Sequence, residues 1–414
     1  MEKKFSGVAV SGPEHPHWEE LTARRNPMYR RPDDIRSPFA RDYTRVLHSL
    51  AYRRLKHKTQ VFYNAAGNDH ICTRIEHVAH VESVSSTIAK ALGLNDELTK
   101  AIAFAHDLGH APFGHQGEKV IDRLTREHLN EDFWHEKNGL YFVDRIELLE
   151  DNEKCLRNLN LTFAVRDGIV SHCGELDQNT FCPRQELFDP EEFRFPGQYE
   201  AATWEGCVVK LADKISYLGR DIEDAMRLKI LTQEQIRELQ VLANVHDEKA
   251  VNTTVIMHNM ATNLCQNSSP EEGLRLSGEM SQLLNDIKEF NMRCIYRNER
   301  LDAFGAYSEL VIRTLFDCLM RYYRGADTMI YLRSIDFDRY GFVKAFEEML
   351  AKYTTFDFTL PSLKEEREVK AKCKNEKIYG ALETEKIYAR AVIDFIAGMT
   401  DMYAINSFNE LLGC

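Results

Sequence analysis

A chain of 414 residues is long enough to bury a large core, either as one big domain or as a core with an appended lobe. With 43% hydrophobic and 29% charged residues it reads as an ordinary globular protein in solution. No run approaches the roughly 18 apolar residues of a membrane span, and no apolar stretch follows the opening Met-Glu-Lys-Lys-Phe as a signal peptide requires. A net charge of −12 excludes a general polyanion binder, so any nucleic-acid contact has to come from a local basic cluster. Ten cysteines lie between Cys72 and Cys414 with no C-x-x-C pair, which points to reduced packing cysteines and a cytoplasmic location, not to a disulfide framework or zinc cluster.

Residues 1–40 read as an irregular basic N-terminal arm, with His15, His17, Trp18, prolines at 27, 32 and 38, and Arg24, Arg25, Arg30, Arg31 and Arg36. It is either a solvated arm draped over the domain or one that reaches a neighbouring subunit or a nucleotide. From Asp42 to Lys58 the pattern is helical, with Val46, Leu47, Leu50, Ala51 and Leu55 on one side. Gln60 to Tyr63 is a short apolar piece and 65–69 a loop. A helix is predicted from Thr73 to Leu92, stopped at Gly93; His77, Val81, Val84, Ile88 and Leu92 advance by three or four, so His77 belongs to the inward stripe.

The next helix starts after Asn95 or Asp96 and runs into His106-Asp107, with Gly109 and Pro112 as stop signals. A helix from Gln116 to His128 puts Glu118 in its first turn. Phe133 to Glu136 links to a helix over Gly139–Leu149, and Leu161–His172 is again helical. Residues 174–203, with prolines at 183, 190 and 196, read as an excursion or lid. Glu205–Leu228 is a strong helix on which Asp213, Tyr217 and Asp221, at i, i+4 and i+8, share a face. Thr232 with Gln235, and Ser269-Pro270 with Glu272, are capping-box patterns that open helices. Further helices are expected near 246–264, 270–290, 300–323, 339–353 and 385–412. Strand-like alternation is nearly absent, so the class is all-α, organised as the 1–40 arm, a 41–230 core and a 231–414 C-terminal helical region.

The chemistry concentrates in Ala105 to His115, where three histidines and an aspartate occupy eleven residues. His106-Asp107 ends one helix, His77 faces inward on another, and Asp213 lies amid Val209, Leu211, Ala212 and Ile215, where an unpaired carboxylate is costly. A metal removes that cost. Two imidazoles with two carboxylates suit Mn²⁺, Mg²⁺, Fe²⁺ or Zn²⁺ and leave positions open for water and substrate. His246-Asp247, which lacks the Gly-His and the later His, reads as surface. His80 and His172 read as structural, although His172 could serve as a second-metal ligand. Arg53 and Arg54 pair with acids as readily as with a ligand, and Glu223 and Asp224 read as a solvated face.

Arg74-Ile75-Glu76-His77, His106-Asp107-Leu108-Gly109-His110 through Gly114-His115-Gln116-Gly117-Glu118, and Ala212-Asp213-Lys214-Ile215-Ser216-Tyr217 through Asp221 resemble the deoxynucleotide triphosphohydrolases, the dGTPase-like branch of the HD-domain phosphohydrolases. Ser49 to Leu55 with Lys58 to Phe62 is similar to that family's N-terminal signature, and Asp394 to Asp401 to its C-terminal one. The resemblance implies an HD-domain helical core with a C-terminal helical extension that completes the nucleotide pocket and oligomer contacts. It implies water attack on the α-phosphorus of a deoxynucleoside triphosphate, giving deoxynucleoside and intact triphosphate. His77, His106, Asp107 and Asp213 would hold Mn²⁺ or Mg²⁺ (Fe²⁺ or Zn²⁺ as alternatives). His115 would be the catalytic acid or base, with Glu118 orienting it. His110 and His135 would contact phosphates, and Arg74 and Lys214 would neutralise their charge. Gln60, Tyr217 and Asp221 would read the sugar.

The residue types suit these roles. No G-x-x-x-x-G-K-[ST] loop is present, so a triphosphate relies on side-chain cations and the metal. A neutral-range imidazole can move a proton at pH 7 when a carboxylate fixes its tautomer. Nothing in these motifs carries guanine specificity, so a broad dNTP range is as open as dGTP alone. The resemblance also implies a homo-oligomer, hexamer or tetramer, with an activating dNTP at a second site in some relatives; single-stranded DNA is a further partner for the basic arm, and a membrane is not. The alternatives are another HD nucleotide phosphohydrolase, monophosphatase or phosphodiesterase, and a nucleotide-sensing binding protein. The Lys214–Tyr217–Asp221 set argues against the former, and the intact metal and His115–Glu118 sets against the latter.

Overall fold

The computed structural model describes residues 3–28, 33–62, 70–173, 180–243, 253–335, 341–356 and 364–413. Arg30, Arg31, Pro32, Tyr63, the 65–69 loop, His246-Asp247, Cys414, and the first residues of the 174–203, 246–264 and 339–353 segments lie outside them. Among the described residues the helices run α1 (Trp18–Thr22), α2 (Pro38–His48), α3 (Leu50–Arg54), α4 (Arg74–Leu92), α5 (Asp96–Ala105), α6 (Gly114–Leu129), α7 (His135–Tyr141), α8 (Phe163–Ser171), α9 (Trp204–Arg227), α10 (Gln233–Leu242), α11 (Thr253–Asn267), α12 (Gly278–Asn291), α13 (Glu299–Met320), α14 (Thr328–Ser334), α15 (Gly341–Tyr353), α16 (Lys364–Lys372), α17 (Glu385–Ala397) and α18 (Asp401–Leu412). Strands β1 (Leu148–Glu150) and β2 (Leu156–Asn158) form one antiparallel pair, β3 (Thr180–Phe181) and β4 (Leu274–Arg275) another. The class is all-α, as expected. None of the described helices is long and apolar enough to cross a membrane, and the described cysteines are free thiols.

The chain divides into two compact units, each assembled from separated stretches. One comprises 1–47, 60–107 and 161–303; the other comprises 48–59, 108–160 and 304–414. In the first, α9 is central and packs against α4, α5, α8, α11 and α12. Its apolar faces are buried nearly all round, which marks a core helix. Asn95 caps α5, its Oδ1 accepting from Glu97 N (2.9 Å) and Leu98 N (3.2 Å), a cap worth about 1 kcal/mol. Thr73 and Glu76 close a capping box on α4, and Gly93 stops that helix with φ +87°. On α8, a Cβ at Gly168 would stand 2.6 Å from Ile102, so only glycine lets α8 approach α5 this closely.

Glu205, in the first turn of α9, is buried; its Oε1 accepts from Val10 N (3.1 Å) and Asn95 N (2.9 Å). Burial pushes its carboxyl from 4.5 to about 6. The folded state therefore holds the proton more tightly than the unfolded chain, and Glu205's contribution to stability falls as pH rises from 4.5 to about 6. The loss is about 2 kcal/mol. Glu205→Gln keeps the acceptor and removes the ionisation. Its melting temperature is expected to match wild type near pH 4.5 and to exceed it above pH 6.5; equal curves at both pH values would refute this.

The second unit packs α6 on α17 and α15 on α14, α17 and α18. Its α6 starts at Gly114, two residues before the sequence expectation, with Phe113 as N-cap in the left-handed region. His115 is thus inside the helix, and Glu118 sits one turn beyond it, not in the first turn.

Several other boundaries differ for local reasons. Ser49 interrupts the 42–58 helix because its hydroxyl accepts from Tyr52 N and restarts the chain as α3. The 139–149 helix starts instead at His135 and ends in a wide π-type turn over Phe142–Ile146 before β1. Ser269 Oγ does accept from Glu272 N (3.2 Å), as a capping box would, but Gly273 at φ +88° turns the chain into β4 and the helix waits for Ser277. Gly398 divides 385–412 into two helices, with Thr400 capping the second.

The 180–203 stretch is tied down in the first unit. Arg184 is ion-paired with buried Asp167, and Phe188, Phe193 and Tyr199 form a ring cluster. The N-terminal arm carries α1 and buries Phe5, Val10 and Leu21, while Arg24 pairs with Asp42 (2.5 Å) and Arg25 with Glu191 (2.6 Å). Asp224 is buried, not solvated: it accepts from Cys72 N (2.9 Å), and burial raises its carboxyl to about 6. Its neighbour Glu223 bonds Arg220 (2.5 Å) and accepts from Thr253. Arg54 pairs with Glu147, and His80 accepts from Arg220.

Candidate functional site

In the first unit, α4, the end of α5 and the middle of α9 bring His77, His106, Asp107 and Asp213 together. His77 Nε2 is 2.9 Å from Asp213 Oδ1, and His106 Nε2 is 3.6 Å from Asp107 Oδ1 and 3.9 Å from Asp213 Oδ1. His106 Nδ1 donates to the Ala103 carbonyl at 2.7 Å, the last-turn carbonyl left open at the end of α5. That bond fixes the tautomer and leaves Nε2 with its lone pair. His172, at the C-terminal end of α8, repeats the device: Nδ1 donates to Ile169 O at 2.6 Å, and its ring stands 4.9 Å from that of His106, edge to face. Ligand atoms of His77, His106 and Asp213 lie within 4.8 Å of one another, as do those of His106, Asp107 and His172. His172, read from the sequence as structural with second-metal ligation as the alternative, thus has a ring nitrogen within reach of such a site.

The donor set fits a divalent cation. Buried His106 Nε2 and His77 Nδ1 have no hydrogen-bond partner among the described residues, and such orphans are rare unless something else satisfies them. Burial disfavours charge on both His77 and Asp213. The hydrogen bond and charge between them, with Asp107 beside His77 and His106 and His172 beside Asp213, reverse this: His77 is held above, and Asp213 below, its ordinary value. Arg74 is buried and bonds Asp107 Oδ2 (3.0 Å) and the Gln60 carbonyl (3.4 Å). It orients the carboxylate that a cation would share. Gln60 is buried too, its Oε1 lacking a partner among the described residues. Lys214 is fully buried on α9, and Tyr217 is half-buried against the core. Asp221 accepts from Tyr296 Oη, at the end of a π-type turn over Met292–Tyr296. Tyr296 was not singled out from the sequence, where no motif marks it.

In the second unit, α6 and the start of α7 gather the other set. Glu118 Oε1 accepts from His135 N (2.9 Å), and His135 Nδ1 lies 3.1 Å and 3.2 Å from the two carboxylate oxygens. His115 Nδ1 is 3.4 Å from Glu118 Oε2, one turn earlier on α6. His110 stacks on His135, ring centres 3.8 Å apart at 18°, with its Nδ1 3.9 Å from Glu118. Burial raises the Glu118 carboxyl, but the His135 charge and the His115 and His135 hydrogen bonds outweigh it and hold the group well below the usual carboxylate range. His115 is 49% exposed while Glu118 is 14%. The arrangement is a half-buried anion with an accessible imidazole on it, which can hold or move a proton at the surface of the unit.

Gly109 sets this geometry. Its carbonyl accepts from Asn138 Nδ2 (2.7 Å), and a Cβ there would lie 2.1 Å from both His135 O and Gly139 N. Neither atom can swing aside, so α7 would have to shift. Gly109→Ala is expected to cost about 3 kcal/mol or more and to detach His135 from Glu118. Urea unfolding checks it; a midpoint within error of wild type would show that the contact is tolerated.

The same segments answer to known proteins. A family model described as HD domain matches residues 74–218, spanning both donor sets, and one described as phosphohydrolase-associated domain matches 368–410. A deoxyguanosinetriphosphate triphosphohydrolase-like protein of Caldanaerobacter subterraneus subsp. tengcongensis is 31% identical over 380 residues, 91% of this chain and 86% of the relative. The chain belongs to the deoxyguanosinetriphosphate triphosphohydrolase-like family. Proteins of that name from Desulfatibacillum aliphaticivorans and Thiobacillus denitrificans are 35% identical over 294 residues (70% of this chain, 75% of the relative) and 40% identical over 206 residues (50% and 51%). As an HD-domain member of this triphosphohydrolase-like family the protein is a phosphohydrolase, and its His/Asp clusters are ones that could hold a metal.

Proposed function

We propose that the protein is a divalent-metal-dependent deoxynucleoside triphosphate triphosphohydrolase, converting dGTP or other dNTPs to deoxynucleoside and inorganic triphosphate. One observation carries this reading: α9 presents Asp213 beside His77 and His106 and, one and two turns on, Tyr217 and then Asp221 held by Tyr296. A single helix face thus runs from metal ligand to sugar reader, which a monophosphatase does not need. The name borne by the relatives agrees.

In this reading His77, His106, Asp107 and Asp213 hold Mn²⁺ or Mg²⁺. A cation held there would supply positive charge at the α-phosphate and lower the pKa of a water. The water oxygen bonds to the α-phosphorus and releases a proton to solvent, the bond from phosphorus to O5′ breaks with its electron pair on O5′, and O5′ takes a proton. His115 supplies that proton, with Glu118 setting its tautomer and stabilising the imidazolium. His110 and His135 contact phosphate oxygens. Lys214 neutralises phosphate charge and Arg74 acts at Asp107. Gln60, Tyr217 and Asp221 read the deoxyribose; a tyrosine packed under the sugar excludes a 2′-hydroxyl sterically.

A second reading, a two-metal HD phosphodiesterase, is favoured by His172 beside His106 and Asp107. Products and metal content separate the two. Each of the four dNTPs, GTP and dNTP mixtures is incubated with Mn²⁺ or Mg²⁺ and the products resolved by ion exchange. Deoxynucleoside with intact triphosphate, and one metal per chain, supports the proposal. Monophosphate with pyrophosphate, and two metals, supports the second reading. Turnover only in mixtures would reveal an activating dNTP site, and size-exclusion chromatography tests the homo-oligomer. Binding without turnover of any nucleotide would leave a nucleotide-sensing protein.

A further inference from the structure

The loop between Asp107 and α6 carries His110 and leads into His115, yet its backbone is held by residues far away in sequence. All of them lie in the second unit. Phe113 N donates to Asp401 Oδ1 at 2.8 Å, and Asp401 Oδ2 accepts from Thr59 N at 2.9 Å. Lys58 Nζ donates to the His110 carbonyl and, at 3.2 Å, to the Ala397 carbonyl. Asp401 and Lys58 are 4% and 2% exposed, so the pair is shielded from solvent.

The loop needs this support. Phe113 is the N-cap of α6 at φ 66°, ψ 21°, a conformation that costs a non-glycine residue about 1 kcal/mol or more. The Phe113 side chain itself makes no cap hydrogen bond to α6. The Phe113 ring is buried, edge-on to Phe304 and Tyr307 at 6.0 Å and 6.5 Å. Asp401 is itself the first residue of α18; burial raises its carboxyl, and the helix N-terminus with the Thr59 and Phe113 hydrogen bonds opposes that. One carboxylate therefore receives two backbone N–H groups, one from the strained cap before His115 and one from the residue after Lys58.

We propose that Asp401, assisted by Lys58, is a positioning residue: it fixes the left-handed Phe113 cap and thereby the place of His115 on α6, without touching substrate. This rests on the reading of His115 as the proton donor. It assigns a task to the C-terminal Gly398–Asp401 segment that no motif-derived role covers.

The test uses full-length, metal-loaded protein and the variants Asp401→Asn, Asp401→Ala and Lys58→Met. Asp401→Asn keeps one acceptor oxygen of two, so it retains part of the clamp if Asp401→Ala fails to fold. Metal content, melting temperature, kcat and KM for dGTP, and hydrogen–deuterium exchange of the 108–118 peptide are measured for each. Asp401→Asn is expected to lower kcat about 10- to 100-fold, with KM within about twofold and metal content unchanged. Asp401→Ala is expected to fall further. Exchange in 108–118 is expected to speed about tenfold or more, the effect of losing a charge-assisted hydrogen bond, while peptides of α4 and α9 keep their protection. The proposal is overturned if 108–118 exchanges as in wild type, or if kcat falls only in proportion to the unfolded fraction. Should the wild type not hydrolyse dGTP, the function reading falls, and faster exchange confined to 108–118 still decides for the clamp.

Discussion

His106→Ala is expected to abolish the metal centre and with it about a thousandfold or more of kcat/KM, the several kcal/mol that a divalent cation supplies at a phosphate. His106 is the residue on which the donors converge: its Nε2 faces both Asp107 and Asp213, and its Nδ1 is committed to Ala103 O. Removing the ring leaves Asp107 on Arg74 and Asp213 on His77, with no imidazole between the two carboxylates. Metal per chain, measured by mass spectrometry after desalting, is expected to fall from near stoichiometric to background. Circular dichroism controls for folding, since all-α content should persist. A variant that keeps both metal and turnover would place the metal elsewhere.

Glu118→Gln is the second large effect, and it separates proton transfer from metal binding. The carboxylate orients His115 and His135 at once, with Nδ1 contacts of 3.4 Å and 3.1 Å. An amide cannot stabilise an imidazolium, so kcat is expected to drop about 100- to 1,000-fold with metal content unchanged. The stability consequence has a definite sign. The folded carboxyl lies well below its ordinary 4.5, so ionised Glu118 stabilises the fold above that pH, and the contribution is lost as pH falls through the folded value. The variant is therefore expected to be less stable than wild type at pH 7, by about 1.5–3 kcal/mol for a charge-assisted bond, and the gap should close in acid. A constant gap across pH would mean that the loss comes from packing and not from charge.

Helical periodicity and capping chemistry are local, and they were read directly. The Asn95 cap, the Gly93 stop and the Thr232–Gln235 box stand where the sequence puts them. Of the inward stripe that marked His77, α4 buries His77, Val81, Ile88 and Leu92 and half-buries Val84. His106-Asp107 lies at the end of α5, where Gly109 and Pro112 disfavour continuation. Where boundaries moved, a competing local bond decided: Ser49 and Thr400 are N-caps inside apparently continuous helices, and Gly273 overrides a genuine Ser269–Glu272 contact.

Non-local partners were not legible. Nothing near His172 announces that its ring meets His106, because α8 reaches α5 through Gly168 and Ile102. Asp224 looks solvated beside Glu223 and Arg227, yet it turns inward to Cys72 N, 152 positions away. Tyr296 meets Asp221 across 75 positions and Asp401 meets Phe113 across 288, and no periodicity encodes either. The resemblance named the candidate ligands, and the structure shows the bonds that hold those side chains in place.

In the proposed reaction water attacks the α-phosphorus and expels the nucleoside. The most direct measurement is hydrolysis of dGTP in ¹⁸O-labelled water with Mn²⁺, with both products analysed by mass spectrometry. The account predicts intact triphosphate carrying one ¹⁸O and an unlabelled deoxynucleoside. Labelled monophosphate with pyrophosphate, or single labelled phosphates released stepwise, would contradict it.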